Sequence, residues 1–189
     1  MTSINRAMAS NDQKKLTISF WMKRSKLSTE QWILTSYYSG SYWGDIRLQT
    51  DDTIRFTDYR NSYIMNLSTN AKLRDVNGFY HILCSFDNSV GSPQAKIYIN
   101  GELQSLSANT NYSQNATTSW NTDYNLHIGN NGNGGSAFKG LISDFYFIQG
   151  YEYAPTVFGE TDATTGEWKP KTNVSVNYSA TGTNSCHLK

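Results

Sequence analysis

Apolar and polar residues alternate with a period of two along much of this chain. In residues 15–24, Leu16, Ile18, Phe20 and Met22 fall on one face, and Thr17, Ser19, Trp21 and Lys23 on the other. That period describes a strand with one face in a core. The tryptophan on the outer face is the feature that asks for an explanation. Residues 31–38 repeat the pattern, with Trp32, Leu34 and Ser36 alternating against Ile33, Thr35 and Tyr37. Residues 79–87 predict a central strand with Tyr80, Ile82, Cys84 and Phe86 on one face. Residues 138–148 predict a long strand, with Leu141, Ser143, Phe145 and Phe147 opposite Ile142, Asp144, Tyr146 and Ile148 and both faces buried at its end. No segment sustains a helical period, so the expected class is all-β.

Turn chemistry divides the strands. Asn100-Gly101 lies between strand-like runs 95–99 and 102–106, and both residue types accept positive φ, which predicts a tight hairpin. Residues 45–50 and 54–59 predict a second hairpin. Among its registers we favour a loop over residues 51–53, which pairs Leu48 with Phe56. A loop over 50–52 sets Arg47 against Arg55, and like charges repel there. Residues 39–44 form a loop carrying Tyr42 and Trp43. The polar stretch 109–123, with Tyr112 and Trp120 inside it, reads as a long loop of the kind that often carries function. A short strand at 126–128 precedes the Gly- and Asn-rich run 129–135. From residue 150 onward the chain is expected to wrap across the sheets with short strands at most. The whole, residues 1–189, is expected to be one domain.

Composition narrows the class of function. The net charge is +1 and aromatic residues make up 14% of the chain, with Tyr the largest share at 13 copies. Near-neutral charge argues against a nucleic-acid surface, and no apolar run approaches a membrane span. Residues 1–12 hold no signal-peptide pattern. Cys84, among core-like neighbours, reads as a buried thiol; whether it is bonded to Cys186 is open from sequence.

Several segments together resemble a concanavalin A-like jelly-roll domain of the laminin G and pentraxin type. They are residues 16–25, 51–59, 79–82, 95–101, 127–129, 138–150 and 158–170. The last of these looks like the branch found in structural proteins of tailed phages, especially marine ones. The resemblance implies an antiparallel two-sheet jelly-roll sandwich. It further implies a virion structural or adhesion domain on the particle surface, with other virion proteins and further copies of itself as partners. Relatives carry an extra strand ahead of residue 15 and continue past Lys189, which implies a longer parent chain.

Sugars present apolar C–H faces to flat rings, so exposed aromatics are the candidate glycan-binding residues: Tyr42, Trp43, Trp120 and Tyr59. A cell-surface glycan is the expected ligand. In the run 129–135, backbone carbonyls and the side chains of Asn130, Asn131 and Asn133 are the candidate ligands for calcium, which takes six to eight oxygens; relatives of this type bind it near such loops. Glu160, Asp162 and Glu167 are the acids from which a glycosidase pair would be drawn, because fold relatives include glucanases. Their place in a Gly-, Thr- and Pro-flanked loop, with Glu167 off the alternate-residue spacing, favours turn-capping roles and a non-enzymatic chain. His81 and His127 read as hydrogen-bonded strand residues.

Overall fold

The computed structural model describes residues 4–180 and 184–189. Its strands in chain order are β1 (Ile4–Ala7), β2 (Lys15–Arg24), β3 (Gln31–Ser39), β4 (Tyr42–Leu48), β5 (Thr53–Arg60), β6 (Tyr63–Lys72), β7 (Tyr80–Asp87) and β8 (Lys96–Ile99). They continue with β9 (Glu102–Leu103), β10 (Leu106–Thr110), β11 (Asn125–Ile128), β12 (Gly140–Gln149), β13 (Gly159–Thr161), β14 (Trp168–Pro170) and β15 (Cys186–Leu188). A seven-stranded sheet runs β1-β11-β3-β4-β5-β6-β10 and a six-stranded sheet β15-β12-β2-β7-β8-β9. All ladders in both are antiparallel. The chain is an antiparallel jelly-roll sandwich. Among the described residues no helix is long and apolar enough to cross a membrane.

The alternation in β2 does what its period demands. Leu16, Ile18, Phe20 and Met22 join Ile82, Cys84 and Phe86 of β7 in the core, facing Ile46, Leu48, Phe56 and Leu67 of the other sheet. Asn100 (φ 49°) and Gly101 (φ 85°) form the expected positive-φ turn between β8 and β9.

The β4–β5 register differs from the one favoured above. Leu48 pairs with Ile54, Ile46 with Phe56, and Arg47 stands opposite Arg55. This register seats four aliphatic and aromatic side chains inward, and each arginine has its own partners. Arg47 lies 3.2 Å from Asp45 and its guanidinium sits 4.6 Å from the Trp32 ring centroid. Arg55 donates to Asn66 Oδ1 at 2.9 Å and lies 4.7 Å from the Tyr63 ring centroid. With these partners the two like charges are accommodated directly across the ladder.

Two bulges also break simple alternation. Asp144, at φ 48°, interrupts the β12–β2 ladder, so Ile142 packs against the core alongside Phe145 and Phe147. A shift between Trp32 and Leu34 puts Trp32 beside Arg47 on the outward face, while Ile33 and Leu34 are both buried. Strand β6, which the sequence reading did not assign, and β1, ahead of residue 15, complete the seven-stranded sheet.

Of the stretch 109–123, expected as a long loop with an exposed Trp120, residues 109–110 belong to β10 and the rest, in the segment 111–124, folds into the sandwich. Trp120 is 0% exposed and packs on Phe56 with ring centroids 5.6 Å apart. It also lies on Gly44, where a Cβ would come within 2.7 Å of the indole. Asp58 anchors the segment, accepting from the Ser119 N–H (2.9 Å), the Ser119 hydroxyl (2.6 Å) and the Tyr112 hydroxyl (2.9 Å).

Burial pushes the Asp58 carboxyl up to about 7, against the pull of the Ser119 and Tyr112 hydrogen bonds. A raised carboxyl stabilises the fold fully below its unfolded pKa, and that contribution is lost as pH rises toward 7. Relative to Asp58→Asn, the wild-type protein should therefore lose on the order of a few kcal/mol between about pH 4 and pH 7. Urea unfolding of both proteins across that range measures the difference. Parallel pH profiles would contradict the assignment.

The outward face of the six-stranded sheet is covered by the chain after β12. Leu83, Tyr146 and Ile148 pack with Phe158, Tyr151, Tyr153, Val174 and Val176. Thr17 Oγ1 donates to the Tyr151 carbonyl at 2.9 Å and accepts from the Tyr153 N–H at 2.8 Å. This second layer explains the outward tryptophan of β2. Trp21 is only 6% exposed and stacks on His81 (4.9 Å), which stacks in turn on Trp168 of β14 (6.0 Å).

Candidate functional site

Among the described residues no such second layer covers the middle strands of the seven-stranded sheet, where Trp43 and Tyr59 are half-buried and Tyr63 is exposed. Alternation and cross-strand pairing there bring together side chains far apart in sequence. Trp43 pairs with Tyr59 and Tyr59 with Tyr63, while the bulge in β3 brings Trp32 beside them. The Trp43 and Tyr59 rings are stacked at 5.2 Å and 14°, with Tyr63 edge-on at 6.0 Å and Trp32 tilted at 5.6 Å. Tyr63 is 40% exposed, and Trp32, Trp43 and Tyr59 are half-buried. The result is an aromatic platform in which Trp43 and Tyr59 are near-parallel and Trp32 and Tyr63 are inclined to them.

Charge lies under and along this platform. The Arg47 guanidinium lies against both tryptophan rings, 4.6 Å from Trp32 and 5.7 Å from Trp43, which fixes it by cation–π attraction. Beneath it Asp45 accepts from the Thr57 hydroxyl. Its other oxygen, Oδ2, is ion-paired with Arg47 Nη1 at 3.2 Å, while Arg47 Nε donates no hydrogen bond among the described residues. Burial pushes the Asp45 carboxyl up to about 6, while Arg47 and Thr57 pull the other way. Arg55 presents its guanidinium along the same face beside Tyr63 and Asn66.

The run 129–135 flanks this face. Thr35 Oγ1 donates to the Asn130 carbonyl at 2.9 Å, and Asn133 Nδ2 donates to Tyr37 Oη at 3.2 Å. Gly132 (φ 79°) lies against Tyr37, where a Cβ would approach to 2.9 Å. The asparagines do not fit a calcium cage. Asn130 Oδ1 accepts from the Gly132 N–H, and Asn131 Oδ1 from those of Asn133 and Gly135. Among the described residues no three His, Cys, Asp or Glu side chains converge to supply the carboxylates calcium favours.

Of the candidate glycan residues, then, Trp43 and Tyr59 meet on the platform. Tyr42 does not join them. It alternates to the other side and sits at the end of the sheet, with its hydroxyl accepting from Asn61 (2.7 Å) and its ring edge-on to Tyr38 (6.4 Å). Trp120, expected in an exposed loop, is buried because the loop's aromatics fill the end of the core. Trp32 and Tyr63 were missed. The bulge hides the first, and the second begins the strand that sequence reading passed over.

The acids near the C-terminus shape a turn. Asp162 Oδ1 accepts from the N–H groups of Thr164 (2.8 Å) and Thr165 (3.0 Å), and Lys169 lies 2.8 Å from Asp162 Oδ2 and 3.9 Å from Glu160. Lys169, with those N–H groups, holds the Asp162 carboxyl well below the usual range. Cys84 is a buried free thiol and Cys186 a half-buried one. His81 accepts from Trp168 Nε1–H (3.0 Å) at Nδ1, which leaves Nε2–H to donate to Ser19 Oγ (2.8 Å). Burial lowers its pKa to about 4, so the ring is neutral at ordinary pH.

No curated protein matches the chain in sequence. Among solved structures, domain 4 of AbnA, an extracellular arabinanase of Geobacillus stearothermophilus in complex with arabinotriose, is similar with a TM-score of 0.56 and 22% identity. That match covers 77% of this chain and 63% of the other. The mouse laminin α1 domains LG4-5 match with a TM-score of 0.55 and 8% identity, over 78% of this chain and 38% of theirs. A Ruminococcus gnavus sialidase carbohydrate-binding module, bound to α2,3-sialyllactose, matches at 0.51 and 16% identity, over 68% of this chain and 71% of its own. At these identities the likeness is one of fold. A laminin G-type family model, described as the concanavalin A-like lectin/glucanases superfamily, matches residues 2–156. With two antiparallel sheets stacked as that fold requires, the chain belongs to the concanavalin A-like lectin/glucanases superfamily.

Proposed function

We propose that this chain is a non-catalytic glycan-binding module whose site is the platform of Trp32, Trp43, Tyr59 and Tyr63. The observation that carries the reading is the contrast between the two outward faces. One sheet hides its aromatics under a second layer of chain, and the other leaves stacked rings on its surface beside arginine and asparagine side chains. Flat rings take the C–H faces of sugars, and Arg55 and Asn66 offer hydroxyl partners. The arabinotriose and sialyllactose complexes of the fold relatives support the same class of ligand. An open platform gives weak single sites, which repeated copies convert into useful avidity. The setting we propose is the surface of a phage particle, on the likeness of residues 158–170 to phage structural domains. Absence of the protein from the mass spectrum of purified particles would remove that setting without touching the site.

The test is a glycan array with the protein in multivalent form. Specific binding is expected, and Trp43→Ala, at the centre of the platform, should weaken it at least about tenfold, as loss of a central anchor does. A blank array, or hits indifferent to Trp43→Ala, would favour a second reading, an assembly subunit. One observation supports that alternative. Ile4 (56% exposed) and Leu188 (36% exposed) flank an apolar groove between the edge strands β1 and β15, a surface suited to contact with another copy.

A further inference from the structure

A cleft of about 630 Å³ lies on the opposite side from the platform, where the β13–β14 hairpin approaches the turns at the ends of β7 and β8. A smaller depression of about 230 Å³ adjoins it, sharing Trp21 and Phe79. Trp21, Trp168 and Phe79 are the aromatic walls, and Phe79 is 46% exposed. Glu102 and Glu167 line the cleft and Asp144 the depression, and no Lys, Arg or His lines either. In a chain of net charge +1 this is a marked local bias. Neither Glu102 nor Glu167 makes a side-chain hydrogen bond or ion pair among the described residues. The nearest hairpin cation cannot neutralise them, because Lys169 is held by Asp162 and Glu160. The Trp168 indole N–H is spent on His81, and Asn100 Oδ1 on the His81 N–H.

We propose that this cleft binds an alkylammonium group, with the carbon chain against Phe79 and the indoles and the ammonium between Glu102 and Glu167. An ammonium is all donor, with three N–H bonds to give, which matches carboxylates with unclaimed lone pairs. Aromatic faces attract the same charge through their quadrupoles, and a side chain of the lysine type supplies both the charge and the apolar stem. The free amine and the lysine of a peptide share this chemistry. The site is independent of the platform, so either can fail while the other stands.

The experiment is a titration of the intact chain, followed by tryptophan fluorescence, with cadaverine, with Nα-acetyl-lysine methylamide and with a lysine-containing peptide. Saturable binding is expected, weakening as salt is raised. Glu102→Gln and Glu167→Gln should each weaken it about threefold and together about tenfold or more, and Phe79→Ala similarly. Both glutamates are exposed and unpaired, so the variants should fold as the wild type does, which thermal melts verify. Trp43→Ala should leave the titration unchanged. Tighter binding of the peptide than of either small amine assigns the site to protein partners, and equal binding assigns it to free amines. No saturation, affinity indifferent to the two glutamate changes, or equal binding of a neutral methyl glycoside would overturn the proposal.

Discussion

Replacing Trp120 with alanine should destabilise the protein by about 3–5 kcal/mol, the usual range for emptying a large buried aromatic site. The indole is fully buried and touches Phe56 on one side and the backbone of Gly44 on another. Its segment is pinned on several sides, by the Asp58 bonds to Ser119 and Tyr112, by Ser36 Oγ donating to the Ser119 carbonyl and by Gln149 Nε2 donating to the Trp120 carbonyl, so a cavity there cannot be closed by small shifts. Trp120→Phe keeps most of the packing and should lose clearly less. Urea unfolding of the three proteins gives the ranking. A loss under about 1 kcal/mol for Trp120→Ala would mean the segment 111–124 is not part of the cooperative core.

Arg24→Ala should cost a similar amount for a different reason. The Arg24 side chain has 0% exposure and pairs with Asp52 at 2.9 Å, while also donating to the carbonyls of Leu73 and Lys26. Removing it leaves a buried carboxylate and the buried Leu73 carbonyl short of a donor, and breaking such a pair costs about 3–5 kcal/mol. Arg74 makes a contact with the same carboxylate at 3.2 Å, but its side chain is 60% exposed. Arg74→Ala should therefore cost only about 0–1 kcal/mol. Thermal or urea unfolding separates the two, and equal losses would show that burial is not what sets the value of the Asp52 pairings.

The sheets were legible where one strand's pattern was enough. The face of β2, the central strand β7 and the Asn100-Gly101 turn follow from period and turn chemistry in the sequence alone. Register was less legible. The Arg47–Arg55 pairing looked repulsive because the rings of Trp32 and Tyr63, which take up the two guanidinium groups, come from strands that sequence could not place beside them. The bulges at Trp32 and Asp144 shift alternation by one residue with no glycine to announce them. Within the candidate site, Trp43 and Tyr59 were visible as outward aromatics. Trp120 misled because polar neighbours masked a side chain that plugs the core. The alternation of Met65, Leu67 and Thr69, all buried, was the available signal for β6, but it would put Tyr63 inward; the register shift between Asp58 and Tyr59 turns Tyr63 out to the platform.

The central claim is that glycan binds on the platform, and the five tryptophans report separately on the places that matter. The measurement is an NMR titration of the indole N–H signals with an oligosaccharide taken from the array. Trp32 and Trp43 should shift along a saturable curve while Trp120 in the core and Trp21 and Trp168 in the opposite cleft stay still. Saturable shifts at Trp21 and Trp168 with Trp32 and Trp43 unmoved would contradict the account and place glycan recognition on the other sheet.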